Sequence, residues 1–417
     1  MSTRLLVLLA CGSVLLAQTS LDLTKQAEQL LRAGNKQEAR AALEKASALK
    51  NQTAESEDRI GFLLAVSGDQ AGAHDHFRKS ISLDANYAPA HFHLGAADWL
   101  AGEKQEGLRE LETAVRLAPG AFDYRYRLGA AYLDVNDPEN AVAQLQEATR
   151  LNPSSGPAWR SLGQALHSKG NLVAAIDAYR HALSFNEQDT AARNELATVL
   201  VQTRQPELAI QEANRILQRD PKNFAAHMNL GYAYLKTGDY AKAESAYRAA
   251  IADDATSAAP HYDLGISLKM QDQLDAARIE FGTALKLDPT LAEAQYSIGI
   301  ISWQSGDFAA MAAAMKAAIA IRPEYAEAHY MLGIALKGSD HPDEAIAELQ
   351  EAIRLDPTTP GPYNTLAQIL RLKGDQKGAA EAFATGARLK KEKDAQLANN
   401  LEQGMRGGEM LKPINKQ

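Results

Sequence analysis

Small and bulky apolar positions along this chain fall into columns that repeat every 34 residues. A glycine preceded by leucine or isoleucine stands at Gly61, Gly95, Gly129, Gly163, Gly231, Gly265, Gly299 and Gly333, and Ala27, Ala197 and Ala367 fill the remaining registers of the same column. Twelve residues later runs a second small column, from Ala39, Ala73 and Gly107 to Met311, Ala345 and Ala379. A third follows after seven more, from Ala46 and Ser80 through Ile216 to Ala352 and Gly386. Between the second and third columns a bulky residue recurs, as in Phe77, Leu111, Leu145, Tyr179, Tyr247, Phe281, Leu349 and Phe383. Two antiparallel helices approach closely only where small residues face each other, and the bulky residue then fills the adjoining gap. Each 34-residue unit is therefore predicted to be a pair of helices.

Both boundaries of the pair are also written in polar and special residues. Gly34, Gly68, Gly102, Gly170, Gly238, Gly306 and Gly374 stand between the helices, several followed by Asp or Asn, which suits a left-handed helix stop and a new cap. Pro119, Pro153, Pro221, Pro289, Pro323 and Pro357 stop the second helix at one fixed place, because proline cannot continue the hydrogen-bond ladder. The clearest unit contains Asn229-Leu230-Gly231-Tyr232-Ala233-Tyr234 followed by Gly238-Asp239-Tyr240 and Ala241-Lys242-Ala243.

On these columns the chain resembles the tetratricopeptide repeat family from Ser20 to Lys393, in eleven units starting at 20, 54, 88, 122, 156, 190, 224, 258, 292, 326 and 360. The resemblance implies an all-α, right-handed superhelical solenoid of helix-turn-helix repeats. Met311, Gly107 and Ile216 depart from the small columns, and Ala85, Glu187 and Ala255 replace the proline; these change local packing and not the fold. The last repeat has Lys391 in the proline register, so its second helix is expected to run on through Leu397 and Leu401 as a cap over 394–403, with a flexible tail over 404–417.

Composition supports helices and narrows the partners. The chain is 46% hydrophobic but only 6% aromatic, with much alanine, the best helix former. A net charge of -8 over 417 residues leaves no basic stripe for a phosphate backbone, so nucleic acid is not an expected partner. Arg388, Lys390, Lys391 and Lys393 are interrupted by Glu392 and read as a solvated helix face.

The chain opens with Arg4, an apolar run from Leu5 to Ala17 and then Gln18-Thr19-Ser20, the layout of a secretory signal over 1–17. At 13 residues the run is too short to span the roughly 30 Å of a bilayer core as a helix, and cleavage after Ala17 is expected. A periplasmic or secreted location follows. Leu8-Leu9-Ala10 before Cys11 also resembles a bacterial lipobox, which leaves a lipid-anchored envelope subunit as the alternative. Cys11 is the only cysteine, so the body has no disulfide.

Subtracting signal and repeats leaves the last 24 residues, too few for a catalytic domain. Walker loop, His-Glu-x-x-His, Gly-x-Ser-x-Gly and Cys-x-x-Cys motifs are all missing, so an enzyme, a cofactor and a metal site are not expected. His74-x-His76 and His91-x-His93 have the wrong spacing to share a metal on a helix, because residues two apart diverge. His91, His227, His261 and His329 share one register, four before the column glycine, with Trp159 and Tyr363, which marks a packing position.

The resemblance further implies that first helices line a concave face, with the columns three before, one after and four after the glycine. The first of these reads Phe92, Tyr126, Arg160, Asn194, Met228, Tyr262, Tyr296 and Tyr330, and the third contains Trp99, His167 and Trp303. Some family members grip a partner's C-terminal carboxylate with lysine, arginine and asparagine on successive first helices. Only Arg160 is basic in the first column and no asparagine follows the glycine, so that clamp is incomplete. Aromatic side chains give large contact area for little entropy loss, so Phe92, Trp99, Tyr126, Arg160, Tyr262, Tyr296, Trp303 and Tyr330 are the candidate contacts for extended or helical segments of protein partners. The expected role is an exported interaction scaffold, or an accessory to an enzyme on another chain. The second helix of repeat nine, Phe308 to Ile321, has Lys316 as its only charge among Ala309, Ala310, Ala313, Ala317 and Ala320, and is a candidate self-association face.

Overall fold

The structure, a computed structural model, describes residues 20–409 apart from Asn51. The signal at 1–17, with Cys11, and the end of the tail lie outside the described residues. Every regular element among the described residues is a helix, and the helices come in eleven successive pairs, called here helix A and helix B of each repeat. Two compact units divide the chain, one ending at Gln205 and one beginning at Pro206. None of the described helices is long and apolar enough to cross a membrane.

The small columns work as contact points between A and B. In repeat five, helix A (Gly156–Ser168) and helix B (Leu172–Phe185) meet where Gly163 lies under the Tyr179 ring; a Cβ there would stand 2.5 Å from Tyr179 Cε1. The same relation joins Gly61 to Phe77, Gly129 to Leu145, Gly231 to Tyr247, Gly265 to Phe281 and Gly333 to Leu349, and the bulky partners are fully buried or nearly so. Ala39, Ala73, Ala141, Ala175, Ala209, Ala243, Ala277 and Ala345 of the second column are completely buried. Close approach of backbones excludes water and maximises dispersion contact along the whole interface.

The turn between A and B is left-handed at every register of one column. Seven are the glycines read from the sequence, and the other four are Asn136, Arg204, Asp272 and Asp340, with φ between 57° and 61°. Asn and Asp tolerate this conformation through local hydrogen bonds, whereas Arg204 has no such help. The next residue then caps helix B: side chains of Asp69, Asp137, Asn171, Asp239 and Asp307 accept the backbone N–H three residues on.

The histidine register is a hydrogen-bonding post rather than plain packing. His91 reaches Glu110 of helix B through Nδ1 (2.5 Å) and the carbonyl of Ala85 through Nε2 (3.1 Å), and His329 repeats this with Glu348 and Pro323. Trp159, Tyr363 and Arg125 donate to the same loop carbonyl six residues back, at Pro153, Pro357 and Pro119. In repeat two the charges exchange places, Glu57 standing in the register and His76 on helix B at 2.5 Å. His91 and His329 thus tie helix A, helix B and the preceding loop together.

At the C-terminus the last helix B runs from Gln376 to Glu409. This corrects two expectations. Leu389 is the last buried apolar side chain and residues 390–399 are all exposed, with Leu397 60% exposed, so this stretch projects away from the stack instead of covering it. The helix also continues past Gly404, because no proline interrupts the ladder before Pro413.

Candidate protein-interaction surface

Helix A carries two faces of different character. Four of the six candidate side chains three before the column glycine turn along the array toward the next helix A. Phe92 stacks on Tyr124 at 4.6 Å between ring centres, Tyr296 packs on Tyr325 at 5.3 Å, and the Tyr330 ring lies against Gly361. Arg160 Nη1 donates to both carboxylate oxygens of Asp189 at 3.1 and 3.0 Å. Tyr126 stacks on Phe122 of its own helix, Tyr262 packs on Phe281, and all six residues of this column are half-buried. Burial raises the phenol pKa of Tyr262 and Tyr296, as expected for rings that lie against protein. Six of the eight residues picked from the sequence therefore have structural partners.

The remaining two differ from each other. Trp99 is half-buried, with the Lys104 ammonium 5.6 Å from its ring centre. Trp303 is 47% exposed. It belongs to a stripe one, four and five positions after the column glycine, where Phe62, Tyr232, Val66, Leu100, Met270 and Leu372 are also exposed; the first two columns were named from the sequence, and the one five positions after was missed. These offsets are separated by three, four and one residues, so they occupy one face of helix A. Of sixteen exposed large apolar side chains among the described residues, these seven share that face, so the exposure is patterned and not scattered.

Polar side chains interrupt the stripe in repeats four to six. Ser161, Gln164, His167 and Glu195, with Asp134 and Tyr179, line an open cavity of about 510 Å3. Gln164 Nε2 donates to Glu195 Oε1 at 2.6 Å, and His167 Nε2 meets Gln202 Oε1 at 2.9 Å. Tyr179 is completely buried, and its Oη faces the Glu195 carboxylate without meeting it in hydrogen-bond geometry; Glu195 Oε2 likewise has no partner. Burial first, then the neighbouring Glu195 charge, raise the Tyr179 phenol pKa well above its ordinary value.

One group of donor atoms with metal-ligand chemistry exists among the described residues, His74, Asp98 and Glu103, within 4.8 Å of one another. Asp98 is buried and shares a 2.6 Å hydrogen bond with His74 Nε2, while Glu103 is exposed at the A–B turn. The arrangement joins repeat two to repeat three as the neighbouring His93–Asp58 contact does, at 2.7 Å. On helix B of repeat nine, Ala309, Ala313 and Ala320 are exposed while Ala310 and Ala317 are half-buried.

Stacked helix pairs tied by small-residue contacts, with a patterned apolar stripe on the first helices, define an all-α repeat solenoid. The chain belongs to the tetratricopeptide repeat family: one model of that family matches residues 126–191, 194–260 and 262–326, and another matches 302–370. Solved structures similar to it include MamA from Desulfovibrio magneticus RS-1, from residue 41 to its end, 26% identical over 41% of this chain and 97% of that one, with a TM-score of 0.38. Yeast Tom70 is 14% identical over 93% of this chain and 96% of its own, with a TM-score of 0.47. YrrB, described as a protein of the same family with an unusual peptide-binding site, is 22% identical over 44% of this chain and 95% of its own, with a TM-score of 0.37. No curated protein matches the sequence.

Proposed function

We propose that this protein is an exported, non-catalytic scaffold that holds segments of partner proteins against the exposed stripe of its first helices. The observation that carries this reading is the shared helix-A face of Phe62, Val66, Leu100, Tyr232, Met270, Trp303 and Leu372. Exposed apolar side chains in one register offer a recurring contact surface, and burying them under a partner recovers hydrophobic free energy. Trp303 is the strongest single anchor, being large, exposed and free of the repeat-to-repeat packing that holds Tyr296.

The test uses the purified full chain as bait in envelope extract, with Trp303→Ala and Leu100→Asp variants as controls. Proteins retained by the wild type should lose about 2 kcal/mol of affinity to the Trp303→Ala variant, roughly a 30-fold weakening, with helicity unchanged. Equal retention by all three proteins would remove the stripe from the account. Export rests on the leader sequence, and the mass of the mature N-terminus decides between cleavage after Ala17 and a lipid on Cys11.

A further inference from the structure

The cavity in repeats four to six has an excess of acceptors. Its lining holds the carboxylates of Asp134 and Glu195 and no lysine or arginine, and its nitrogen donors are engaged, Gln164 Nε2 with Glu195 and His167 Nε2 with Gln202, while nearby Arg160 is held by Asp189. Glu195 is met by the Gln164 amide on one oxygen and faced by the Tyr179 hydroxyl, and it forms no ion pair among the described residues. The fully buried Tyr179 directs an unpartnered hydroxyl to the same place. A buried polar atom without a partner costs free energy and an unpaired charge costs more, so a cation at this place is favoured over a neutral group.

The pairing recurs elsewhere. Two repeats on, Tyr247 is fully buried with an unpartnered Oη, and sixteen residues after it comes Asp263. The Asp263 side chain has no hydrogen bond or ion pair among the described residues, and burial pushes its carboxyl pKa up to about 6. From repeat two to repeat ten the same bulky column otherwise reads Phe77, Leu111, Leu145, Ala213, Phe281, Met315 and Leu349. Sixteen residues after those stand His93, Arg127, Ser161, Asn229, Ser297, Met331 and Thr365, none of them acidic. Tyrosine and carboxylate occur together at both positions and separately at none, which a purely structural column does not require.

We propose that Tyr179, Glu195 and Gln164 form a subsite for a cationic side chain, lysine or arginine, of a partner polypeptide, with Tyr247 and Asp263 as a second copy of it. This deepens the partner-binding reading above and rests on it. An ammonium or guanidinium entering the cavity supplies a counter-charge to Glu195 and donors to its Oε2 and to Tyr179 Oη. The terminal torsion of glutamate is broad, so small rotations present Oε2 to the ligand. Cavities of about 300–1,000 Å3 accommodate such groups, and this one is about 510 Å3. Charge-assisted bonds of this kind are roughly twice as strong as neutral ones.

The test is selection of a phage-displayed random dodecapeptide library on the full chain, and on the Glu195→Gln, Tyr179→Phe and Glu139→Gln variants. Glutamine keeps the shape of residue 195, phenylalanine keeps the ring over Gly163, and Glu139 is an exposed carboxylate outside the cavity that controls for net charge. Circular dichroism checks that each variant is folded. Wild-type selections should enrich lysine or arginine at one fixed peptide position by about ten-fold. That enrichment should vanish with Glu195→Gln, weaken with Tyr179→Phe and persist with Glu139→Gln. Peptides that bind without a basic position, or whose basic position survives both cavity substitutions, overturn the subsite alone. Should Glu195→Gln fail to fold, the Tyr179→Phe comparison decides. A wild-type chain that enriches no peptide overturns the partner-binding reading itself.

Discussion

Repeats two and three and repeats five and six use the same pair of registers in opposite ways. In the former, Asp58 and the residue 35 positions later, His93, meet at 2.7 Å, and the His93 ring is bracketed by Phe62, Phe77 and Phe92. In the latter, the same registers hold Arg160 and Glu195, opposite charges that could pair, yet Arg160 turns to Asp189 instead. The buried acids of the first region are all answered within the chain, Glu57 by His76, Asp58 by His93 and Asp98 by His74. Glu195 in the second meets the Gln164 amide and no cation or imidazole. A closed register stabilises the array, and an open one at a cavity is available to a ligand.

The largest expected effect is on the closed side. Asp58→Ala removes the carboxylate that holds the His93 ring, at a site where Asp58 is 5% exposed, and leaves an imidazole among aromatic faces. We expect a loss of about 2–4 kcal/mol in chemical denaturation, the usual result of breaking a buried charged hydrogen bond from one side. A loss under about 0.5 kcal/mol would show that the His93 contact is a surface-like pair and would erase the contrast between the two regions.

A middle-sized effect comes from the second open acid. The Asp263 carboxyl pKa is raised by burial from 3.8 to about 6, so between those values the folded chain keeps a proton that the unfolded chain has lost. Stability from this group is therefore greatest at low pH and falls as pH rises through about 6, the sign opposite to a salt-bridged aspartate. Asp254, Asp288 and Asp356 provide the reverse case, since hydrogen bonds from Thr256, Thr290 and Thr358 lower their pKa values and that contribution is lost on acidification. Asp263→Asn should stabilise the chain by about 1–2 kcal/mol at pH 7.5 and by nothing near pH 4. Thermal denaturation of both proteins across that range measures the difference directly. Identical curves would mean that the carboxylate is solvated and the second subsite is not an unpaired buried acid.

These contrasts explain which parts of the molecule could be read from the chain. The helix pairs were legible because close approach admits only Gly or Ala opposite a bulky residue, as at Gly163 and Tyr179, and that constraint recurs in every unit but repeat six, where the bulky column has Ala213. The left-handed turn was legible at seven glycines, but Arg204 carries no sequence mark of its conformation and is recognised only by its register. The interaction face was read less well. Tyr296 and Trp303 look alike as aromatic residues on helix A, and only the position of Tyr325, the N-cap of the following helix A, decides that one is packed and the other exposed. Tyr179 lay in the packing column and Glu195 in a column given no role in sequence, and they converge only when repeat five stacks on repeat six. Leu397 shows the same limit, since an apolar residue on a long terminal helix covers the stack only if the helix bends toward it.

The smallest expected change in stability is also the sharpest test of the comparison. Asp189 serves two purposes: its Oδ1 accepts the Ala192 N–H as the cap of helix A in repeat six, and both of its oxygens hold Arg160. Asparagine caps a helix about as well as aspartate, so Asp189→Asn should alter stability by under about 1 kcal/mol. It removes the negative charge that draws Arg160 away from Glu195. Arg160 then has one carboxylate left in reach through the same registers that join Asp58 to His93, and pairing there closes the cavity with the chain's own cation. In the peptide selection, this variant should lose the basic position as completely as Glu195→Gln does, although Glu195 itself is untouched. A variant that keeps the preference would mean that Arg160 stays at residue 189 without the charge, and that the open register is set by helix geometry instead of by competition between two acids for one arginine.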